Sequence, residues 1–182
     1  MIYIETPRLL LRGWSEHDLE PFRQLNADET VMRYFPKTLT HEETDQFYNV
    51  IQAEFKESGY GLYAVEIKET KAFIGLIGFH KAVFEADFTP CVEIGWRLKK
   101  EAWGQGYAPE GAAACLQYGF QELGFDEIYS FTADINKPSQ RVMAKVGMHY
   151  VKSFNHPKVD TASPLYPHVL YHVKKESRTD LN

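Results

Sequence analysis

Cysteine is scarce: Cys91 and Cys115 are the only two in 182 residues. That excludes a disulfide framework and leaves no metal-ligand spacing. Long apolar runs are missing too, and none approaches the ~20 residues of a membrane span. Basic residues are in deficit, 20 against 25 acidic, for a net charge of −5. Nucleic-acid binding rests on a basic patch, so nucleic acid is excluded as the main partner. The acidic balance suits a cationic amine without requiring one. No segment is repetitive or compositionally biased, and Met1 to Arg8 carry no signal-peptide pattern. The expectation is a cytoplasmic protein without membrane contact, residues 1–182 forming one domain long enough for a single good core. A homodimer is compatible with this and not required by it.

What is present centres on residues 92–120. Val92, Ile94, Trp96 and Leu98 alternate with Glu93, Gly95 and Arg97, the period of a half-buried strand. A glycine turn, Trp103-Gly-Gln-Gly-Tyr-Ala108, then runs into Pro109, a residue favoured in the first turn of a helix. Ala112, Leu116, Phe120 and Leu123 recur at helical spacing. A strand, a glycine turn and a helix N-terminus together attract phosphate through free N–H groups. A dinucleotide fingerprint from Gly104 would need glycine where Pro109 stands. A nucleoside-triphosphate loop from Gly106 to Gly111 would need Lys and Ser/Thr where Ala112 and Ala113 follow. Both readings fail on residue identity.

The rest of the chain alternates helices and strands. Thr6 to Arg12 reads as a first strand. Ser15 is placed to cap a helix carrying Leu19, Phe22 and Leu25. Thr40 with Glu43 fits a capping box, opening a helix with Phe47, Val50, Ile51 and Phe55 that stops near Gly59. Tyr60 to Ile67 and Ala72 to His80 read as a hairpin, with Gly75 and Gly78 marking close backbone approach or a bulge. Phe84 and Phe88 lie in a loop and suit either ordinary packing or a substrate wall. After the central helix come a strand (127–133), a helix opened by Asn136 and ended by Gly147, and strands at 148–154 and 168–173. The fold class expected is α/β, with a mixed sheet in a sandwich.

Four motifs in this order resemble the GNAT superfamily of acyl-CoA-dependent N-acetyltransferases. The turn 103–108 is similar to its pyrophosphate loop, with Trp103 replacing the usual first residue. Asn136-Lys-Pro-Ser139, running on to Gly147-Met148, looks like its late helix. Glu93-Ile-Gly-Trp-Arg97 and Thr6-Pro-Arg-Leu-Leu-Leu-Arg12 resemble the RimJ/RimL branch. The resemblance implies a mostly antiparallel sheet splayed between two central parallel strands. It implies acetyl-CoA as co-substrate and no metal, with direct transfer to a primary amine, on a small molecule or a protein N-terminus, in a ternary complex. The alternative is a non-catalytic acyl-CoA sensor on the same fold.

The resemblance also implies site residues. The pyrophosphate would rest on Trp103, Gly104, Gln105, Gly106, Tyr107 and Ala108. The pantetheine arm would pair with the strand around Trp96 and Leu98, Ile94 would offer an oxyanion donor, and Asn136 and Ser139 would face the arm. An alkyl amine is about one part in a thousand neutral at pH 7, so a base is useful, and Glu93 is the carboxylate on the central strand. Its burial would raise its pKa and Arg97 on the same face would lower it, which leaves the direction open. Equally, Glu93 could be structural, held by Arg97 or a backbone amide, and Asn136 an ordinary helix cap. Many relatives carry a Tyr acid where this chain has Met143, so Ser139 or solvent becomes the proton donor to the thiolate. His156, His168 and His172 lack the spacing of a metal site. Cys91 has no evident cationic partner to make it a nucleophile.

Overall fold

The computed structural model describes residues 1–175. Eight strands form one sheet, β1 (Ile2–Glu5), β2 (Leu9–Arg12), β3 (Leu62–Ile67), β4 (Phe73–Ala82), β5 (Cys91–Leu98), β6 (Glu127–Ala133), β7 (His149–Asn155) and β8 (Pro167–Lys174). Four helices cover it, α1 (Leu19–Ala27), α2 (His41–Ser58), α3 (Tyr107–Gln121) and α4 (Lys137–Lys145). The spatial order is β1-β2-β3-β4-β5-β6-β8-β7. Every neighbouring pair is antiparallel except β5 and β6, which run parallel and meet in register only at Glu93 and Tyr129. Beyond that point the two central strands part. The fold is therefore α/β, a mostly antiparallel mixed sheet splayed at its centre.

Strand alternation sorts the core onto two faces. Leu9, Leu11, Tyr63, Val65, Ile77, Phe79 and Ile94 pack under α3, whose Ala112, Cys115, Leu116 and Phe120 face them. Leu62 and Leu76 point the other way, against Phe22 and Leu25 of α1 and Ile51 of α2. The small residues of α3 let it sit close. A Cβ on Gly111 would lie 2.5 Å from Ile77 Cδ1, and one on Gly119 2.8 Å from Phe79 Cζ. The capping box of α2 is formed, with Glu43 N–H donating to Thr40 Oγ1, and Gly59 closes the helix in the left-handed region at φ 75°.

Two expectations are corrected, and a third, Ser15 as a cap, holds for a shorter element. The N-terminus is a hairpin, not one strand, because Ile2 to Glu5 pairs with β2 across a turn at Pro7. Val50 is 49% exposed; the buried face of α2 follows Phe47, Ile51 and Phe55 at steps of four. Ser15 precedes a single 3-10 turn, Glu16–Asp18, ahead of α1. Asp18 in that turn is buried, taking hydrogen bonds from Arg12 Nη1 (2.8 Å) and Nη2 (2.9 Å) and from the Ser15 N–H (2.8 Å). Among the described residues no helix is long and apolar enough to cross a membrane.

Candidate functional site

The splay opens a cavity of about 920 Å³, within the size range of small-molecule sites. Its walls come from β5, the glycine turn, the start of α4 and the loop after α1. Of the residues singled out from sequence, Glu93, Ile94, Trp96, Leu98, Trp103, Gly104, Gly106, Tyr107, Ala108, Asn136 and Ser139 all line it. Gln105 does not. Its side chain turns back to donate to the Glu101 carbonyl at 2.9 Å.

The exposed edge of β5 can be read from two hydrogen bonds. Ser130 Oγ donates to the Ile94 carbonyl (2.9 Å), and Trp103 Nε1 donates to the Leu98 carbonyl (2.8 Å). Both donors lie on the β6 side, and the N–H and C=O of one strand residue share an edge. Trp96, midway, therefore aims its main chain into the gap where β6 has departed. This is a strand edge with room for an extended ligand.

Gly104 (φ 72°) and Gly106 (φ 80°) both occupy the left-handed region, which only glycine enters cheaply. Gly106 is the residue before α3. The first N–H groups of the helix have no intrahelical acceptor and stand at its positive end. The turn is braced from the N-terminal hairpin. Arg8 Nε contacts Glu110 Oε2 at 2.6 Å, Arg8 Nη1 donates to the Gln105 carbonyl at 2.8 Å, and the guanidinium lies 4.5 Å from the Tyr107 ring centroid. Thr6 Oγ1 donates to Glu110 Oε1 at 2.7 Å. Burial acts to raise the Glu110 carboxyl, but the bonds from Thr6 and Arg8 hold it below its ordinary value.

At the start of α4, Asn136 Oδ1 accepts from the Ser139 N–H (3.3 Å) and Nδ2 donates to Thr132 Oγ1 (2.9 Å). The carboxamide is thus spent on capping. Ser139 is half-buried, and its hydroxyl has no partner among the described residues. Met143 is in the core, 1% exposed.

Glu93 points to the opposite face of β5, toward α2. His80 stands directly across from it on β4, and His80 Nδ1 lies 2.6 Å from Glu54 Oε1 of α2 in a bent contact without straight hydrogen-bond geometry. Burial pushes the Glu93 carboxyl up to about 8; His80 pulls it down and Glu54 adds to the rise. Arg97 takes no part, and no donor reaches the Glu93 carboxylate among the described residues. Arg97 instead donates through Nη1 to Asn26 Oδ1 (2.5 Å) and covers the Phe35 ring at 4.4 Å. Cys91 is pushed by burial up to about 11, and so holds no thiolate at neutral pH.

The far wall is aromatic. Phe131, His156 and His168 line the cavity, while Phe84 packs behind, 4.5 Å from His156 and 5.3 Å from Phe131. Phe88 backs Phe131 at 6.2 Å. The two loop aromatics therefore form a second layer. Burial lowers His156 to about 4. His172 pairs with Glu127 at 2.6 Å, away from the cavity. Sequence reasoning missed Arg8, Glu110, His80, Glu54 and Ser130 as parts of the site. Two had a signal: Arg8 stands within the Thr6–Arg12 motif, and counting back along a β4–β5 pair brings His80 opposite Glu93.

Five cations line this cavity, Arg33, Arg97, Arg141, Lys145 and Lys158, against one carboxylate, Glu93. A splayed strand edge, a left-handed glycine turn at a helix start and a cationic rim describe a site for an extended, phosphate-bearing molecule. The comparisons agree with that class. Residues 8–149 match the acetyltransferase (GNAT) domain, and the chain belongs to that family. It is similar to the uncharacterized protein YkkB of Bacillus subtilis, 36% identical over 81% of this chain and 86% of that one. The uncharacterized N-acetyltransferase YnaD of the same organism is 33% identical over 81% and 82%. The crystal structure of a GNAT-family acetyltransferase from Bacillus anthracis superposes with a TM-score of 0.80 at 30% identity, covering 97% of this chain and 99% of that one. The protein is an N-acetyltransferase.

Proposed function

We propose that the chain, as one domain, transfers the acetyl group of acetyl-CoA to a primary amine by direct attack in a ternary complex, with Glu93 as general base. When bound, acetyl-CoA supplies the activated acyl group as a thioester. The residues fit it: Trp96 offers an unpaired strand edge for the pantetheine amides. The turn 104–108 offers N–H groups to the pyrophosphate, and the rim cations offer charge to its phosphates. RimL, and a spermidine N-acetyltransferase from Vibrio cholerae, have been solved with CoA on this fold at 15% and 19% identity. Their acceptors differ, so the fold leaves the acceptor open. The RimJ/RimL-like placement rests on the Thr6–Arg12 and Glu93–Arg97 motifs. Braced against Glu110, Thr6 and Arg8 give the first of these a physical task.

The carrying observation is a carboxyl raised to about 8, facing an open glycine floor at Gly95 beside the splay. An acid–base group tuned near the working pH suits proton removal from an ammonium. Glu93 takes that proton, and His80 with Glu54 leads away from it toward the surface. Ser139, with a free hydroxyl at the start of α4, donates toward the departing sulfur. A sensor would need no such buried base.

The test is release of free thiol from acetyl-CoA across a panel of amines, with calorimetric titration of CoA. Gly106→Ala, which forces a side chain into a left-handed position at the pyrophosphate turn, should weaken CoA binding by about tenfold or more, on the order of 1.4 kcal/mol. Unchanged affinity in the folded variant, or no thiol release with any amine, defeats the reading.

A further inference from the structure

Arg97 follows Glu93 by four residues on the same face of β5. Gly95 lies between them, and a Cβ there would meet only Glu93 Oε1, at 3.9 Å. The sheet is bare at that point. Around the guanidinium are Phe35 at 4.4 Å, Phe47 at 5.8 Å and a single hydrogen bond, to Asn26. Arg97 Nε is buried and has no acceptor. No carboxylate pairs with Arg97 among the described residues. Burial alone draws its pKa down to about 10, which is the behaviour of a desolvated cation lacking its counter-ion.

A buried charge without a partner is costly, and a buried N–H without an acceptor adds to that cost. A carboxylate supplied by a ligand at the cavity end of the guanidinium would relieve the unpaired charge, because the planar fork of donors matches it. We propose that Arg97 binds a carboxylate carried by the acceptor, so that the acceptor is an amino carboxylate held between Arg97 and Glu93. This rests on the transferase reading above and narrows its substrate class. Arg33 lies beside the Trp103 ring of the glycine turn at 5.5 Å, and Arg141 and Lys145 belong to α4, the helix that Asn136 opens. Arg97 is on the acceptor face. A polyamine brings further ammonium groups to a cavity with one carboxylate and would place one of them against Arg97. Bracing β5 to α1 would explain the Asn26 bond, but it needs neither a charge nor an orphaned Nε.

The experiment compares each acid with its carboxamide. Amino acids, ω-amino acids of increasing length and dipeptides are assayed by thiol release. Their N-acetyl derivatives are titrated into CoA-saturated protein, which removes the amine's own pKa from the comparison. The wild type should prefer acid over amide by about 30-fold or more. Arg97→Met should reduce that preference to within about threefold while CoA binding is unchanged, and Arg97→Lys should retain part of it. The chain length at which the preference peaks separates a free amino acid from a peptide. Equal use of acid and amide by the wild type overturns the proposal, as does a preference that survives Arg97→Met. Should Arg97→Met fail to fold, the wild-type comparison and Arg97→Lys decide. Tight binding of N-acetyl acids without any thiol release would keep the carboxylate site and sink the transferase reading instead.

Discussion

Replacing Glu93 with Gln should move activity and stability in opposite directions. The carboxyl stands at about 8 in the folded chain, against an ordinary 4.5. The folded state therefore holds a proton that the unfolded chain releases. Wild-type stability from this group is fully present below about pH 4.5 and is lost as pH rises toward 8. A gap of about 3.5, at ~1.4 kcal/mol for each tenfold step, bounds that loss at about 5 kcal/mol, and because Glu93 is only partly buried and lines an open cavity, solvent screening brings it to about 3 kcal/mol. Gln keeps the shape and cannot ionise. At 2–4 °C per kcal/mol for a chain of this size, Glu93→Gln should melt about 10 °C above wild type at pH 9 and level with it at pH 5. His80 is raised in part by Glu93, so the difference in Tm reports the coupled Glu93–His80 pair, with burial of Glu93 as its largest part.

Kinetics supply the other half. With a value of about 8, roughly one Glu93 in ten is ionised at pH 7. The variant depends on amine that arrives neutral, a supply that rises with pH as steeply as ionised Glu93 does in the wild type below about 8. The kcat deficit of Glu93→Gln should therefore hold at the ~10²–10⁴ of a positioned base from pH 6 to 8. It should narrow only above that, where neutral amine becomes plentiful. Differential scanning fluorimetry and thiol-release kinetics, with a CoA titration as control, read both effects. A variant with native kcat at pH 8, or one no more stable than wild type at pH 9, would refute the reasoning.

Two further outcomes follow from the site and its support. Asp18→Asn removes the buried carboxylate that Arg12 and Ser15 hold below its ordinary value against the cost of burial; it should cost about 3 kcal/mol in urea melts at pH 7. Since that carboxyl is depressed, the difference should be full above about pH 4 and fade as pH falls; an unchanged midpoint at pH 7 would contradict the assignment. Ser139→Ala should lower kcat by less than about tenfold with unchanged KM for acetyl-CoA, because solvent can also protonate a thiolate of ordinary pKa near 8.5; a loss of 100-fold would make the hydroxyl indispensable.

What could be read from sequence was what local torsions and periodicities encode. Gly104 and Gly106 were legible because a left-handed turn before a helix demands glycine. Asn136 and Thr40 were legible because caps act within three residues. The N-terminal hairpin was not, since a four-residue strand such as Ile2–Glu5 is too short for its period to stand out. Val50 was misplaced by one helical step, a 100° error that turns a side chain from core to solvent. Arg8 with Glu110 joins residues 102 apart in sequence, and no pattern in either segment points to the other. For Glu93 the sequence offered burial against Arg97. The contest was decided by the direction Arg97 takes, toward Asn26 and Phe35, which the packing of α1 and the loop after it defines.

The charge of the whole chain also proved a poor guide to the charge of its site. A net −5 suited a cationic acceptor, yet the cavity carries five cations and a single carboxylate. None of the five cations has an ion-pair partner among the described residues, whereas elsewhere Arg8, Arg12 and Arg23 are each paired to carboxylates. Pairing removes cations and carboxylates together and leaves the acidic excess unchanged, so the charge inside the cleft is set by the cations left unpaired there. Arg33, Arg141, Lys145 and Lys158 are exposed and cost little unpaired, whereas Arg97 is partly buried, and a charge held there without a partner costs stability. In the proposed complex the phosphates of the cofactor answer the cations near the glycine turn, and the carboxylate of the acceptor answers Arg97, which stands on the other face beside Phe35 and Phe47.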